Sequence, residues 1–159
     1  MNEKIHVLNM VVKMKERKNK FFIEKLINHL MRCGKKSFAN NVIYKNGFLL
    51  SKYLNKSLYS IYSDIFIKLR PYIEIRKVRV RRTTYMVPFP TNTQRQYYLV
   101  SKWLLETLRT DKRKLSINKK LREEIIKILL NNDSLTLERK KELYKKAEKS
   151  RSFAHFRWY

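Results

Sequence analysis

The stretch RPYIEIRKVRVRRTTYMVPFP, residues Arg70–Pro90, differs in periodicity from the rest of the chain. β-Branched and aromatic residues alternate with polar ones in Ile73–Val80 and again in Thr83–Val87. Alternation with a period of two is typical of short β-strands, because successive side chains of a strand point to opposite faces. The stretch therefore predicts a β-hairpin arm over about residues 72–88, with its turn at Arg81-Arg82.

The apolar residues of the first predicted strand change sides part-way along it. Ile73 and Ile75 share one parity, whereas Val78 and Val80 share the other. An extra residue in one strand would reverse the parity, so we expect a bulge or a strong twist near Arg76-Lys77. A two-stranded ribbon is marginal in water by itself, so the arm must lie on the rest of the chain or on a partner.

Helical periodicity, with apolar residues three and four apart, surrounds the arm. The predicted helices start at Phe21, at Ser37 and near Ser57 before the arm, and cover Thr93–Thr110, about Ile117–Asn131 and about Thr136–Lys149 after it. Gly34 suits a left-handed helix end, and Ser37 suits an N-cap. The sequence predicts a mainly α fold: a bundle of about six helices with a β-hairpin arm between the third and fourth. Residues 21–159 form this single domain, and residues 1–20 are a basic N-terminal extension.

The charge of the chain indicates a polyanionic partner. Lys and Arg number 38 against 13 Asp and Glu, which gives a formal net charge of +25. Self-repulsion on this scale disfavours a compact isolated chain. Nucleic acid is the favoured partner, because each neutralised phosphate releases counterions and adds affinity. A membrane is disfavoured, because no apolar run approaches the roughly 18–20 residues of a span and the charge is not confined to one amphipathic helix.

The unmatched positive charge lies on the loop after the first helix, on the arm and on the C-terminal tail. Charged edge strands also prevent aggregation, but the arm carries more cations than that role requires: Arg76, Lys77, Arg79, Arg81 and Arg82. The planar guanidinium suits phosphate, so these residues favour nucleic-acid contact. The aromatic tail leaves two alternatives open, a plug docked into the core or a surface that stacks on unpaired bases.

Enzyme chemistry has little support in the sequence. No Gly-rich phosphate loop, G-x-S-x-G, H-E-x-x-H or C-x-x-C motif is present. Asp64 is the only acid between Arg32 and Ile73, so a metal-binding carboxylate cluster lacks partners. Cys33 is the single cysteine, and the three histidines are far apart. We therefore predict no enzymatic activity, no cofactor and no metal site.

Four blocks of sequence carry a resemblance to a known family. They are KLINHLMRCGKKSFANNVIY (Lys25–Tyr44), RPYIEIRKVRV with TTYMVP (within Arg70–Pro88), WLLETLR (Trp103–Arg109) and AEKSRSFAHFRW (Ala147–Trp158). In this order they resemble the bacterial-type small-subunit ribosomal protein S-seven. The run RSFAHFRWY is similar to plant and protist mitochondrial members. With a composition typical of an AT-rich gene, this similarity implies the mitochondrial ribosome, and a plastid is the less favoured alternative.

The resemblance implies a fold and a role. The implied fold is six helices with a hairpin arm between the third and fourth. The implied role is binding to the 3′ major (head) domain of the small-subunit rRNA and nucleation of head assembly. The arm would reach toward the exit-site tRNA and the mRNA path, and other proteins of the head and platform would be neighbours. A basic DNA-architectural protein and a metal-dependent nuclease are the alternatives from other classes.

The family's basic positions carry over residue by residue. The expected rRNA-binding residues are Lys35, Lys36, Arg70, Arg76, Lys77, Arg79, Arg95, Lys102, Arg109, Arg151 and Arg157. The tail residues expected to stack or pack are Phe153, His155, Phe156 and Trp158. Arg81-Arg82 stands where the family usually has Gly-Gly. Because a positive φ costs a non-glycine residue about 1–2 kcal/mol, we expect a wider, non-primed turn, whose two arginines reach a phosphate backbone.

Overall fold

The computed structural model describes residues 20–131 and 133–157. The elements are α1 (residues 20–30), α2 (Lys36–Leu54), α3 (Leu58–Leu69), β1 (Ile73–Val80), β2 (Thr83–Pro90), α4 (Thr93–Thr110), α5 (Ile117–Ile126) and α6 (Leu135–Lys149). A π-helical turn, Lys127–Asn131, extends α5, and a 3-10 helix, Arg151–Phe156, follows α6. The predicted helical bundle with an arm between the third and fourth helices is confirmed. The predicted N-terminal extension lies outside the described residues except for Lys20.

The helix ends follow local chemistry. Gly34 has the expected left-handed conformation, with φ 71°. Ser37, however, is not the N-cap: α2 begins one residue earlier, at Lys36, and its cap residue Lys35 makes no side-chain capping bond. At α3 the Ser57 hydroxyl accepts a hydrogen bond from the Ser60 N–H at 3.2 Å, which satisfies an otherwise unpaired donor of the first turn.

The core lies between α1, α2, α3, α4 and α5. Its fully buried side chains include Phe22, Leu26, Ile43, Ile61, Tyr62, Ile65, Leu104, Leu121 and Ile125. Each aliphatic side chain of this size stabilises the fold by about 1.5–3 kcal/mol through burial. Gly47 allows α2 and α3 to approach closely, since a Cβ there would lie 2.6 Å from Leu58 Cδ1.

The arm is a fully paired antiparallel hairpin. Its register runs without interruption from Ile73 opposite Pro90 to Val80 opposite Thr83. Of the two expectations for Arg76-Lys77, the bulge is therefore wrong, and the strong twist stays a prediction. The predicted wider, non-primed turn is also wrong. Arg81 and Arg82 alone connect the strands, and Arg81 has φ 55°, the positive φ that primed hairpin turns require. The complete ladder offsets the strain of one residue, so the turn stays tight without glycine.

The change of parity along β1 reflects what covers each face of the arm. Near the base, Ile75 lines a groove with Leu143 of α6. Val78, on the opposite face, pairs with Tyr85, whose ring packs at 4.9 Å from Phe156 of the 3-10 helix. One face of the arm is thus covered by α6 and the other by the tail. This exchange of neighbours explains the apolar parity without a bulge.

Candidate nucleic-acid interface

The loop between α1 and α2 forms one wall of a basic cleft. Cys33 and Gly34 both have positive φ, 48° and 71°, and the Lys36 N–H donates to the Gly34 carbonyl at 2.7 Å. The chain therefore reverses within a few residues. Lys35 and Lys36 are both exposed after this turn, which is where phosphate-binding side chains need to be.

Four cations surround the mouth of this cleft, whose volume is about 520 Å³. They come from three parts of the chain: Arg32 and Lys35 from the loop, Arg109 from the end of α4, and Lys120 from α5. The remaining lining residues, which we call the apolar floor, are Leu30, Phe38, Leu108, Leu115 and Ile117. A cationic rim above an apolar floor fits a nucleotide, because the phosphates and the flat base find different partners.

Backbone carbonyls position two of these cations. Arg109 Nη2 donates to the His29 carbonyl at 2.9 Å, and Lys120 Nζ donates to the Asp111 carbonyl at 2.7 Å. Burial, together with Lys25 and Arg109, holds the pKa of His29 below its ordinary value. A neutral His29 adds no charge, so the positive potential of the cleft comes from side chains that stay charged at neutral pH.

The first turn of α4 is tied to the base of the arm. Arg95 Nη2 lies 2.6 Å from Glu74 Oε1, and the Arg95 guanidinium also stacks 4.8 Å from the Tyr98 ring centroid. This hydrogen bond holds the pKa of Glu74 below its ordinary value. In the free protein Arg95 is thus engaged internally, and its expected rRNA contact stays a prediction. Lys102 is exposed, with Glu106 3.7 Å away.

The arm presents five cations to solvent along its length, and one of them, Arg76, also lies 3.5 Å from Glu74 near the base. Arg76, Lys77, Arg79, Arg81 and Arg82 are all exposed. Arg79 Nε donates to the Arg81 carbonyl at 3.4 Å, and Thr83 Oγ1 donates to the Val80 carbonyl at 3.2 Å. At the base, Arg70 is half-buried, and its guanidinium lies 5.1 Å from the Tyr72 ring centroid. The tip is therefore a cluster of exposed guanidinium groups held by a closed turn.

The tail packs on the arm. Phe153 and Phe156 lie 5.0 and 4.9 Å from the Tyr85 ring, and His155 lies 4.0 Å from Phe156. Of the two alternatives left open for the tail, docking into the core is excluded for the two phenylalanines, because the 3-10 helix contributes no buried residue. Stacking on RNA stays a prediction, and Trp158 lies outside the described residues.

The tail also brings Arg151 to the base of the arm. Arg151 is exposed and lines a groove with Ile73 and Pro88, and Arg157 is half-buried. Phe156 lines a second groove with Arg81 and Arg82. The structure thus joins two regions that the sequence treats separately, the arm tip and the tail, into one basic and aromatic surface.

Two other kinds of site are not found among the described residues. No group of three His, Cys, Asp or Glu side chains there could hold a metal ion. Within the same ranges, no helix has the length and apolar character needed to cross a bilayer.

Comparison with known proteins identifies the family. The family model described as ribosomal protein S7p/S5e matches residues 2–151. The chain belongs to the ribosomal protein S7p/S5e family. It is 34% identical over 140 residues to the small ribosomal subunit protein uS7 of Thermosipho melanesiensis, covering 88% of this chain and 89% of that protein. The uS7 proteins of Wigglesworthia glossinidia brevipalpis and Rickettsia bellii are 35% and 30% identical, covering 88% and 87% of this chain and 88% and 83% of their own lengths.

Membership of the S7p/S5e family makes this chain a small-subunit ribosomal protein and not an enzyme. Ribosomal RNA and other ribosomal proteins are its partners as a class. The structure adds two cations that sequence reasoning missed, Arg32 and Lys120. Arg32 lies two residues after the end of α1 and could have been predicted from its neighbours Lys35 and Lys36. Lys120 is distant in sequence, and only the packing of α5 brings it to the cleft.

Proposed function

We propose that this S7p/S5e-family chain binds the 3′ major (head) domain of small-subunit rRNA and nucleates assembly of the head. The observation that carries the proposal is the basic cleft, where Arg32, Lys35, Arg109 and Lys120 converge over an apolar floor. The expected basic loop is thus part of a built surface. Phosphate contacts there fix the register of the protein, and RNA shape with splayed bases provides specificity.

The test compares two charge reversals of equal size. Lys35→Glu/Lys36→Glu alters the loop, whereas Lys141→Glu/Lys145→Glu makes the same change on α6, where both lysines are exposed among acidic residues. We expect the loop variant to bind a head-domain rRNA fragment at least about a hundredfold more weakly, at about 1.5–3 kcal/mol for each lost charged hydrogen bond. The α6 variant should lose much less affinity. Equal binding by the loop variant and wild type across a salt titration would contradict the assignment.

The proposed partner is RNA, whereas a DNA-architectural protein would bind duplex DNA. Competition with duplex DNA distinguishes the two roles. Excess duplex DNA should fail to displace the head-domain fragment, because an A-form helix and unstacked loops differ in shape from B-DNA. Displacement by DNA would favour an architectural protein, whose arm enters a groove.

The arm and the compartment complete the proposal. The exposed arginines of the arm tip suit a phosphate backbone near the exit-site tRNA and the mRNA path. The similarity of the tail to mitochondrial members supports a mitochondrial ribosome. Co-sedimentation of the chain with small subunits from purified mitochondria is the expected result, and its absence from them would refute this location.

A further inference from the structure

The outer face of α2 has an unusual composition for a surface helix. A stripe at spacings of three and four residues runs along the middle of this face, opposite the buried one: Phe38, Asn41, Lys45, Phe48 and Lys52. All five residues are exposed. Phe38 and Phe48 remain 59% and 57% accessible to solvent. An outward face normally carries polar side chains, so two phenyl rings at its centre require an explanation.

More aromatic surface flanks this stripe. Tyr44 and Leu49 are exposed beside it, and Tyr53, at the end of the helix, is 66% accessible. Together with Phe38 and Phe48, these residues give the outer surface of α2 five exposed large apolar side chains, with lysines between them. Apolar patches rimmed by polar groups mark interaction sites on soluble proteins. We therefore expect the outer face of α2 to bind another molecule.

The charge of this face selects the partner. α2 contains lysines and no acidic residue, and Lys52 Nζ lies 4.7 Å from the centre of the Phe48 ring. Protein–protein interfaces are enriched in Phe and Tyr but depleted in Lys at their centres. Lysines alternating with aromatic rings match RNA instead, because unstacked bases lie on the rings while the ammonium groups neutralise phosphates.

The stripe is continuous with the basic cleft. Phe38 belongs to both, since it also forms part of the cleft floor beside Lys35. Phe48 lies about 15 Å further along the helix axis, at a rise of about 1.5 Å per residue. An RNA strand leaving the cleft would therefore follow α2 directly.

We propose that the outer face of α2 binds an unpaired RNA segment, with Phe38 and Phe48 stacking on bases and Lys45 and Lys52 contacting phosphates. The proposal rests on the proposed function in one respect, that the partner is RNA, and it extends the contact surface beyond the loop, the arm, α4 and the tail.

The test uses the full chain and two probes, a single-stranded oligouridylate of about 12 nucleotides and an RNA duplex of equal length. We expect Phe38→Ser/Phe48→Ser to bind the single strand about tenfold or more weakly, with the salt slope and duplex binding unchanged, because stacking is lost and no charge is removed. Phe38→Tyr/Phe48→Tyr should retain binding. Lys45→Gln/Lys52→Gln should reduce the magnitude of the salt slope by about 1.4.

The matched control is Ile67→Ser/Leu130→Ser, which removes two comparably exposed apolar side chains, 51% and 53% accessible, from other surfaces. Single-strand binding by Phe38→Ser/Phe48→Ser equal to that of this control would overturn the proposal. The proposal would also be overturned if Phe38→Ser/Phe48→Ser bound the single strand as wild type does but failed to enter small subunits. In that case the outer face of α2 would be a protein-docking surface. The head-domain assay of Lys35→Glu/Lys36→Glu fails or succeeds independently of these results.

Discussion

Arg81 shows how one residue can occupy a position that usually belongs to glycine. Of the two turn residues, both described by the structure, only Arg81 has a positive φ, at 55°. That conformation costs an L-residue about 1–2 kcal/mol. The turn keeps it because eight opposed residue pairs close the ladder below. Both guanidinium groups consequently stand at the extreme tip of the arm.

We predict opposite effects of glycine at the two turn positions. Arg81→Gly should raise the free energy of unfolding by up to about 1 kcal/mol, since relief of strain exceeds the entropic cost of glycine. Arg82→Gly should lower it by about 0.5–1 kcal/mol, because Arg82 has no strain to relieve. Urea unfolding of both variants measures the difference. If both side chains reach a phosphate backbone, each variant also binds RNA more weakly, whereas equal stability changes would contradict the strain at Arg81.

At the scale of elements, the arm is held at three places. Glu74 joins the base of the arm to α4 through Arg95. The face of the arm that carries Ile75 lies along α6, and Tyr85 on the other face packs against the tail. An isolated two-stranded ribbon is marginal in water. These attachments from separate elements give the arm a defined direction before any RNA is bound.

The ion pair at the base of the arm makes stability depend on pH. Glu74 is largely buried, with its side chain 11% exposed against 43% for Arg95. The Arg95 hydrogen bond lowers the pKa of Glu74 in the folded state. The unfolded chain therefore takes up a proton more readily than the folded one as the pH falls. The stability from Glu74 is complete above its unfolded pKa of about 4.3 and is lost as pH falls through the lower, folded pKa.

We predict that Glu74→Gln lowers the free energy of unfolding by about 1–2 kcal/mol at neutral pH, the range for a charged hydrogen bond that is partly exposed. The difference from wild type should shrink below about pH 4.3. Glu142→Gln is the control, because Glu142 and Lys146 are exposed and 4.0 Å apart. Thermal unfolding across this pH range provides the measurement. A difference that stays constant down to acid pH would show that Glu74 does not stabilise the fold as a carboxylate.

Elements with a strong period could be predicted from the sequence, and contacts between distant elements could not. α4 begins and ends at Thr93 and Thr110 as predicted, because its apolar stripe and flanking residues are local signals. The expected wider turn at Arg81 is wrong, because local strain alone disfavours a positive φ, and the ladder that offsets this strain forms between two separate strands. The position of Phe156 on Tyr85 and of Lys120 at the cleft depends on how the helices pack. That information is not local to either segment.

At the scale of the whole molecule, six acids form ion pairs within the part of the chain that the structure describes: Asp64, Glu74, Glu106, Asp111, Glu123 and Glu142. Asp111 is held by Arg113, whose hydrogen bonds lower the pKa of this carboxyl to about 2, and Glu123 also bonds Arg113 at 2.6 Å. Glu106 bonds Arg139 at 2.7 Å. Glu142 lies 4.0 Å from Lys146, four residues further along α6. Positive potential therefore concentrates on the cleft, the arm and the outer face of α2.

This distribution predicts how RNA affinity depends on salt. With about eight phosphate contacts, the logarithm of the association constant against the logarithm of salt should have a slope near −6 to −7, at about 0.7–0.9 per phosphate. Arg32→Gln should reduce the magnitude of that slope by about 0.7–0.9, because Arg32 stands at the mouth of the cleft. Arg113→Gln removes the same charge from a site where two carboxylates already neutralise it, so its slope should match wild type. Filter binding of the head-domain fragment over a salt series distinguishes the two variants. Equal slopes for both would mean that total charge, and not the local cleft, determines binding.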